Sequence, residues 1–443
     1  MRKAWRPVLF AEFFLFVLMV VFSGSESLPA KDPPGKNAAG AQASSQAQMM
    51  GFFNCLTGGK AADRHFKETI PFEFTGKFIM VPVRINNGRN SYLFTLDTYS
   101  PCIIWNSLLN DMNMKLNPLS GQLADAFEET LLKPAYTRYD SIKIGNLKFE
   151  NICSMVMDDS EHAMLFDYLD NGIIGATLLR SCIWQINFQD TTITATDGIA
   201  SLGYIEGAIE VPFIPEGPQK SPIVEVVVDD ADTMRLQFDT GNSSTYLACP
   251  LLKKDSSISR SELKVCYKTG GVSILKTDGM QTDTTYCAMA GAVKIGTRTF
   301  KDVPVDVVES EQGKSVGSMG IEFIRNFITT IDWPSNKIYL FPIRGKGIEH
   351  NRRVFGVKTG YVKGAVRVTA VYAGSEAEKR GIEIGDRILS INNNDVENLS
   401  ADQARKFRLG ALKYYDENDE YIRLELIVNG KREKVRLKSY NLF

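Results

Sequence analysis

The chemistry open to this chain is concentrated in two aspartates. Asp97 closes Leu93-Phe94-Thr95-Leu96 and opens Asp97-Thr98-Tyr99-Ser100, while Asp239 closes Leu236-Gln237-Phe238 and opens Asp239-Thr240-Gly241. Two carboxylates brought together cannot both ionise, so they share one proton. The ionised oxygen then takes a proton from water while the protonated one hydrogen-bonds a developing oxyanion. Amide hydrolysis by that route needs no metal and no organic cofactor, and neither is expected. A glycine after Asp-Thr suits such a loop, because it lets the backbone approach closely and turn its N–H to the carboxylate. Gly241 meets that need. Tyr99 stands at the matching place in the first copy, and peptide-bond cleavage turns on it.

The elements that must position the pair occur twice. Ile70-Pro71-Phe72 matches Val211-Pro212-Phe213, each at a similar distance before its aspartate. Ile144-Gly145 through Phe149 matches Ile295-Gly296 through Phe300; Ile174-Gly175 matches Met319-Gly320; and Leu179-Arg180 through Phe188 matches Ile324-Arg325 through Trp333. Four anchors in one order at near-constant spacing indicate an internal duplication. Within each copy, β-branched and aromatic runs alternate with turn signals such as Asn86-Asn87-Gly88, so each reads as a mostly β lobe. Helical patterning is brief, chiefly after Gly175 and Gly320.

The chain has 443 residues, 44% hydrophobic and 23% charged, with a net charge of −1. It is long enough for two or three cored domains, and nothing in the charge points to nucleic acid. Its three histidines, His65, His162 and His350, are scattered, which argues against a Ser-His-Asp triad or a histidine-rich metal site. Residues 1–30 read as a secretory signal: Arg2, Lys3 and Arg6, then the apolar run Pro7–Phe22, then small residues. The run is short for a span, so no integral membrane segment is expected after cleavage. Residues 31–51 are poor in apolar bulk, and a flexible tether is expected through residue 69. Seven cysteines in an exported chain permit disulfides but leave at least one unpaired. Cys182 reads as a small buried apolar residue.

From about residue 350 the texture changes. Ser375 with Glu378, and Ser400 with Gln403, read as capped helix starts. Gly381 suits a left-handed helix end, and Asn429-Gly430 joins two closing strands, Tyr421–Val428 and Lys431–Lys438.

Asp239-Thr240-Gly241, with its partners Ile174-Gly175 and Met319-Gly320, resembles the pepsin and retropepsin superfamily. The resemblance implies that Gly175 and Gly320 run beneath the aspartate loops and that Thr98 and Thr240 interlock across the lobe interface. It further implies that Ser100 hydrogen-bonds its neighbouring carboxylate. It places substrate-covering flaps at Ser120–Asp140 and Tyr267–Thr285; Tyr136 in the first is open between a flap aromatic and an exposed loop residue. Gly374-Ser375-Glu376-Ala377, Lys379-Arg380-Gly381-Ile382, Gly385-Asp386-Arg387-Ile388-Leu389 and Ile391-Asn392 are similar to a PDZ domain. Such a domain takes an extended peptide as an added strand and caps its carboxylate in a backbone nest, here expected at Phe355, Gly356 and Val357. The helix from Ser400 should flank the groove, and the stretch Arg405–Asp419 leaves its far wall open.

As a whole the chain is similar to bacterial exported retropepsin-like proteins with a C-terminal PDZ domain. The expected fold is mostly β: retropepsin-like acid-protease β-barrel lobes at 70–205 and 206–345, from an internal duplication, and an α+β PDZ domain at 350–443. The expected function is aspartic endopeptidase action on polypeptides through Asp97 and Asp239, with peptide or protein C-termini bound by the PDZ domain. A periplasmic, cell-envelope or secreted location is expected. The alternative is a catalytically silent peptide-binding protein of the same fold, inactivated by Tyr99.

Overall fold

The structure, a computed structural model, describes residues 50–118, 123–124, 131–132, 135–159, 169–230, 232–249, 264–272, 280–309, 316–344, 353–416 and 418–442. The expected signal segment, most of the tether, His162 and His350 lie outside them.

The chain is mostly β, and two stretches repeat one pairing order. In the first, Ile79–Ile85 runs antiparallel to Tyr92–Asp97, which pairs in parallel with Gly172–Gly175. That strand pairs antiparallel with Ile103–Trp105, which runs parallel to Cys153–Met157. In the second, Ser221–Val228 pairs with Asp232–Phe238, and the latter lies parallel to Val316–Met319. Val316–Met319 pairs antiparallel with Tyr246–Cys249, which runs parallel to Arg298–Glu309. Each aspartate therefore sits at the end of a strand flanked by its apolar-Gly partner.

A six-stranded antiparallel layer joins the halves. Its order is Lys67–Pro71, Thr192–Thr196, Ile183–Asn187, Phe327–Asp332, Lys337–Pro342 and Ile209–Glu216. The central pair crosses the halves, Ile183 opposite Asp332. Alternating β-branched and aromatic residues build this layer, and one apolar core runs through both halves, including Ile186, Trp184, Ile331 and Leu340.

Ordered structure begins earlier than the tether reading places it. Residues 50–57 form a helix whose Phe52 and Leu56 are buried against Phe78, Met80 and Trp105. Phe52, Cys55 and Leu56 make a stripe at three- and four-residue spacing, enough to dock one helical face. Cys55 is disulfide-bonded to Cys153, and Lys67–Pro71 is already an edge of the joining layer. Cys182 is buried and free, as is Cys102.

The C-terminal module has its own core, including Val366, Val368, Ile388, Ile391, Leu424 and Leu426. Its strands Val357–Val362, Ala365–Tyr372, Arg387–Ile391, Tyr421–Val428 and Lys431–Lys438 pair in a single antiparallel sheet. Ser400 and Gln403 form a reciprocal capping box on the helix Ala401–Leu409, and Gly410 ends it at φ 79°. At the helix Glu376–Lys379, Ser375 accepts from the Glu378 N–H, whereas the Glu378 carboxylate takes the Gly374 N–H. Asn429 and Gly430, at φ 48° and 75°, turn the last hairpin.

The module touches both halves. Tyr267, Lys268 and Thr269 pair with Tyr372, Val371 and Ala370, extending its sheet with a strand from the second half. On the other side Arg405 donates from Nε to Asp170 Oδ1 at 2.7 Å. Leu409 enters the cluster formed by Phe52, Phe78 and Trp105.

Candidate functional site

The two aspartate loops meet at the junction of the halves. Thr98 Oγ1 donates to the Phe238 carbonyl at 2.7 Å and accepts the Thr240 N–H at 3.0 Å. Thr240 Oγ1 reciprocates, donating to the Leu96 carbonyl at 2.9 Å and accepting the Thr98 N–H at 3.1 Å. These four buried bonds hold the loops in one register, as the resemblance implies. Gly175 pairs with Asp97 across the parallel ladder, and a Cβ there would lie 2.2 Å from the Ser100 carbonyl oxygen. At Gly320 a Cβ would lie 2.1 Å from that of Ser244. Both glycines are thus packed directly against the loops.

The carboxyl groups face one another. Asp97 and Asp239 are 0% and 1% exposed. Asp97 Oδ1 accepts the N–H groups of Tyr99 and Ser100, each at 2.8 Å. Asp239 Oδ1 accepts the Gly241 N–H at 2.8 Å. Ser100 reaches the carboxylate through its backbone N–H, while its hydroxyl donates to the Pro101 carbonyl. Asp97 Oδ2 is buried without a donor, yet the two carboxyls lie within hydrogen-bonding reach of each other. Two acceptors in that position need a proton between them. Burial raises Asp97 to about 6 against the pull of its two N–H partners. Burial, with the Asp97 charge adding to it, raises Asp239 well above the usual carboxylate range.

Tyr99 does not project into the space between the carboxylates. It is buried against Ile223, and its hydroxyl donates to the Glu216 carboxylate. Its carbonyl accepts from Ser221 Oγ. Neither Glu216 nor Ser221 carries a pattern in the sequence that marks it as a partner of position 99. Gly241 has no such freedom, because a Cβ there would lie 2.1 Å from Asp97 Oδ2.

The flap windows are only partly described. In the first, Tyr136 lies on the strand Ala135–Arg138, half-buried, with its ring 5.7 Å from that of Phe52. It is not an exposed loop residue, since the helix at 50–57 covers it. In the second, Lys264–Val272 and Met280–Ile295 form a hairpin.

In the C-terminal module, Phe355 and Val357 are buried and Gly356 adopts φ 86°. The Gly356 carbonyl accepts the Tyr372 N–H at 2.9 Å. Strand Val357–Val362 and helix Ala401–Leu409 are neighbours, as a groove requires. The far wall comes from the segment after the helix. The Tyr415 ring stands edge-on to Phe355 at 5.6 Å and its hydroxyl is 3.3 Å from Thr359 Oγ1.

A family model for the PDZ domain matches residues 343–412, and the module is a PDZ domain, a fold suited to binding peptides or proteins. No curated protein matches the chain. Among the described residues no group of side chains is placed to hold a metal ion, and no helix is long and apolar enough to cross a membrane.

Proposed function

We propose that the chain is an exported aspartic endopeptidase: two retropepsin-like lobes from an internal duplication, with a PDZ domain that binds peptide or protein C-termini. The observation that carries this reading is the facing carboxyl pair, whose donorless Asp97 Oδ2 calls for a shared proton. The interlocked threonines and repeated strand order support it as the framework that such a pair needs. The disulfide Cys55–Cys153 supports export to an oxidising compartment, the periplasm, cell envelope or exterior.

The chemistry follows from the pair. As a water oxygen bonds to the scissile carbonyl carbon, the ionised carboxylate takes its proton and the protonated carboxyl gives its own to the carbonyl oxygen. When the C–N bond breaks, the first returns its proton to the leaving nitrogen and a hydroxyl of the tetrahedral intermediate reprotonates the second. Atoms and charge balance without any other reactant.

A second reading, a silent peptide-binding protein, is favoured by the near-complete burial of both carboxylates and by Tyr99. Incubation of the mature protein with unfolded protein substrates between about pH 4 and 8, beside Asp239→Asn, separates the two. Cleavage by the wild type and none by the variant supports the enzyme. Absence of cleavage at every pH refutes it and leaves the binding protein.

A further inference from the structure

We infer that Tyr99 is a positioning residue that braces the Asp97 loop against the opposite lobe and makes Asp97 the ionised member of the pair, Asp239 the proton holder. This rests on the dyad reading and assigns it a direction: Asp97 takes the proton from water and Asp239 donates to the carbonyl.

The brace is visible bond by bond. The Tyr99 N–H donates to Asp97 Oδ1 at 2.8 Å. From the same residue, the carbonyl accepts from Ser221 Oγ, the hydroxyl donates to Glu216, and the ring packs on Ile223. Gln237, two residues before Asp239, also hydrogen-bonds the Tyr99 hydroxyl. Those partners come from three adjacent strands of the second lobe: Ile209–Glu216, Ser221–Val228 and Asp232–Phe238. One residue thus fixes the amide that cradles Asp97 to a rigid sheet across the junction.

The opposite loop has no counterpart. Gly241 carries no side chain, and a Cβ there would strike the Asp97 carboxylate. Asp97 Oδ1 receives two 2.8 Å backbone N–H bonds, from Tyr99 and Ser100. Asp239 Oδ1 receives one of that length, from Gly241, and the Asn242 N–H adds a smaller pull on the same carboxyl. Donors to a carboxylate favour its charged form, so the better-cradled member ionises first. The titratable groups around the pair do not reverse this. Cys102 lies near Asp97, Tyr246 and Tyr99 near Asp239, and Glu216 stands behind the Tyr99 hydroxyl; Arg180 lies near Cys102. The acidic groups of Cys102, Tyr99 and Tyr246 are all pushed up by burial and stay neutral beside the pair. The additional close donor is the Ser100 N–H, and the brace at the preceding Tyr99 holds the loop that presents it.

The test uses the full mature chain with carbon-13-labelled aspartate carboxyls, resonances being assigned by difference against Asp97→Asn and Asp239→Asn. Tyr99→Phe keeps the ring and loses the hydroxyl; Tyr99→Gly removes the brace; Glu216→Gln keeps an acceptor for the hydroxyl. In the wild type Asp97 should titrate below Asp239, and Tyr99→Gly should bring the two steps together. Tyr99→Phe should lower kcat about tenfold at unchanged KM, with Glu216→Gln closer to wild type. Wild-type steps in the reverse order, or steps unchanged in both Tyr99 variants, overturn the inference. Because the carboxyl titration does not need turnover, a wild type without peptidase activity refutes the enzyme reading while the brace is still decided.

Discussion

Thr240→Val removes one hydroxyl from the interlock and keeps the side-chain volume nearly constant. Two buried bonds disappear, from the Thr98 N–H at 3.1 Å and to the Leu96 carbonyl at 2.9 Å. Both backbone groups are then left without partners in a site closed to water, at about 1–3 kcal/mol each. The expected loss is therefore about 2–6 kcal/mol. Thr98→Val should match it within about 1 kcal/mol, since Thr98 Oγ1 makes the same two kinds of bond to the other loop. Tryptophan fluorescence in urea suits the measurement: Trp105, Trp184 and Trp333 lie in the two lobes, and the PDZ domain contains none. A shift worth less than about 0.5 kcal/mol in either variant would refute the interlock as a load on stability. So would a large inequality between the two, because it would mean that the loops are not held reciprocally.

Three further outcomes follow from the same geometry. Gly241→Ala places a Cβ 2.1 Å from Asp97 Oδ2; kcat/KM should fall more than about a hundredfold, and retention within threefold would show that the carboxylate is not where catalysis needs it. Asp97, raised to about 6 in the folded chain from 3.8, binds its proton more tightly folded than unfolded. Its contribution to stability is present below pH 4 or so and is lost as pH rises through about 6. Melting curves of Asp97→Asn should accordingly gain on the wild type over that window; a constant difference excludes the buried charge. Arg405→Ala removes a two-pronged ion pair to Asp170 whose members are 34% and 17% exposed. PDZ docking should weaken by about 1 kcal/mol, read as faster amide exchange in the helix Ala401–Leu409; unchanged exchange would assign the docking to Leu409.

Asp97, Asp239, Gly175 and Gly320 are legible in the sequence because a strand that ends in a tight, inward-turned loop needs a glycine beneath it. The PDZ helices are legible for a similar local reason: Ser400 and Gln403 satisfy N–H groups within one turn. What Tyr99 does is not local. Its side-chain direction is decided by Glu216, Ser221 and Gln237, which no spacing or period connects to it. The ordered helix at 50–57 was hidden by its surroundings, a short apolar stripe at the end of a stretch of Ala, Gly, Gln and Ser. Tyr136 follows in part from it, since the docked helix sets the Phe52 ring against that position. The wall formed by Tyr415 escapes for another reason: the segment after Gly410 has no regular pattern, and its shape is set by Phe355 and Thr359 across the groove.

Cys55 and Cys153 are 98 positions apart, and Asp97 lies inside the loop that they close. A cut anywhere within that loop leaves two pieces still joined through sulfur, with the Asp97 strand retained by its ladder partners. Such a molecule would run as intact protein on a gel until reductant released the halves. A nick by any protease between these two cysteines leaves the first half assembled. Damage there becomes visible, and consequential, only when the bond is reduced.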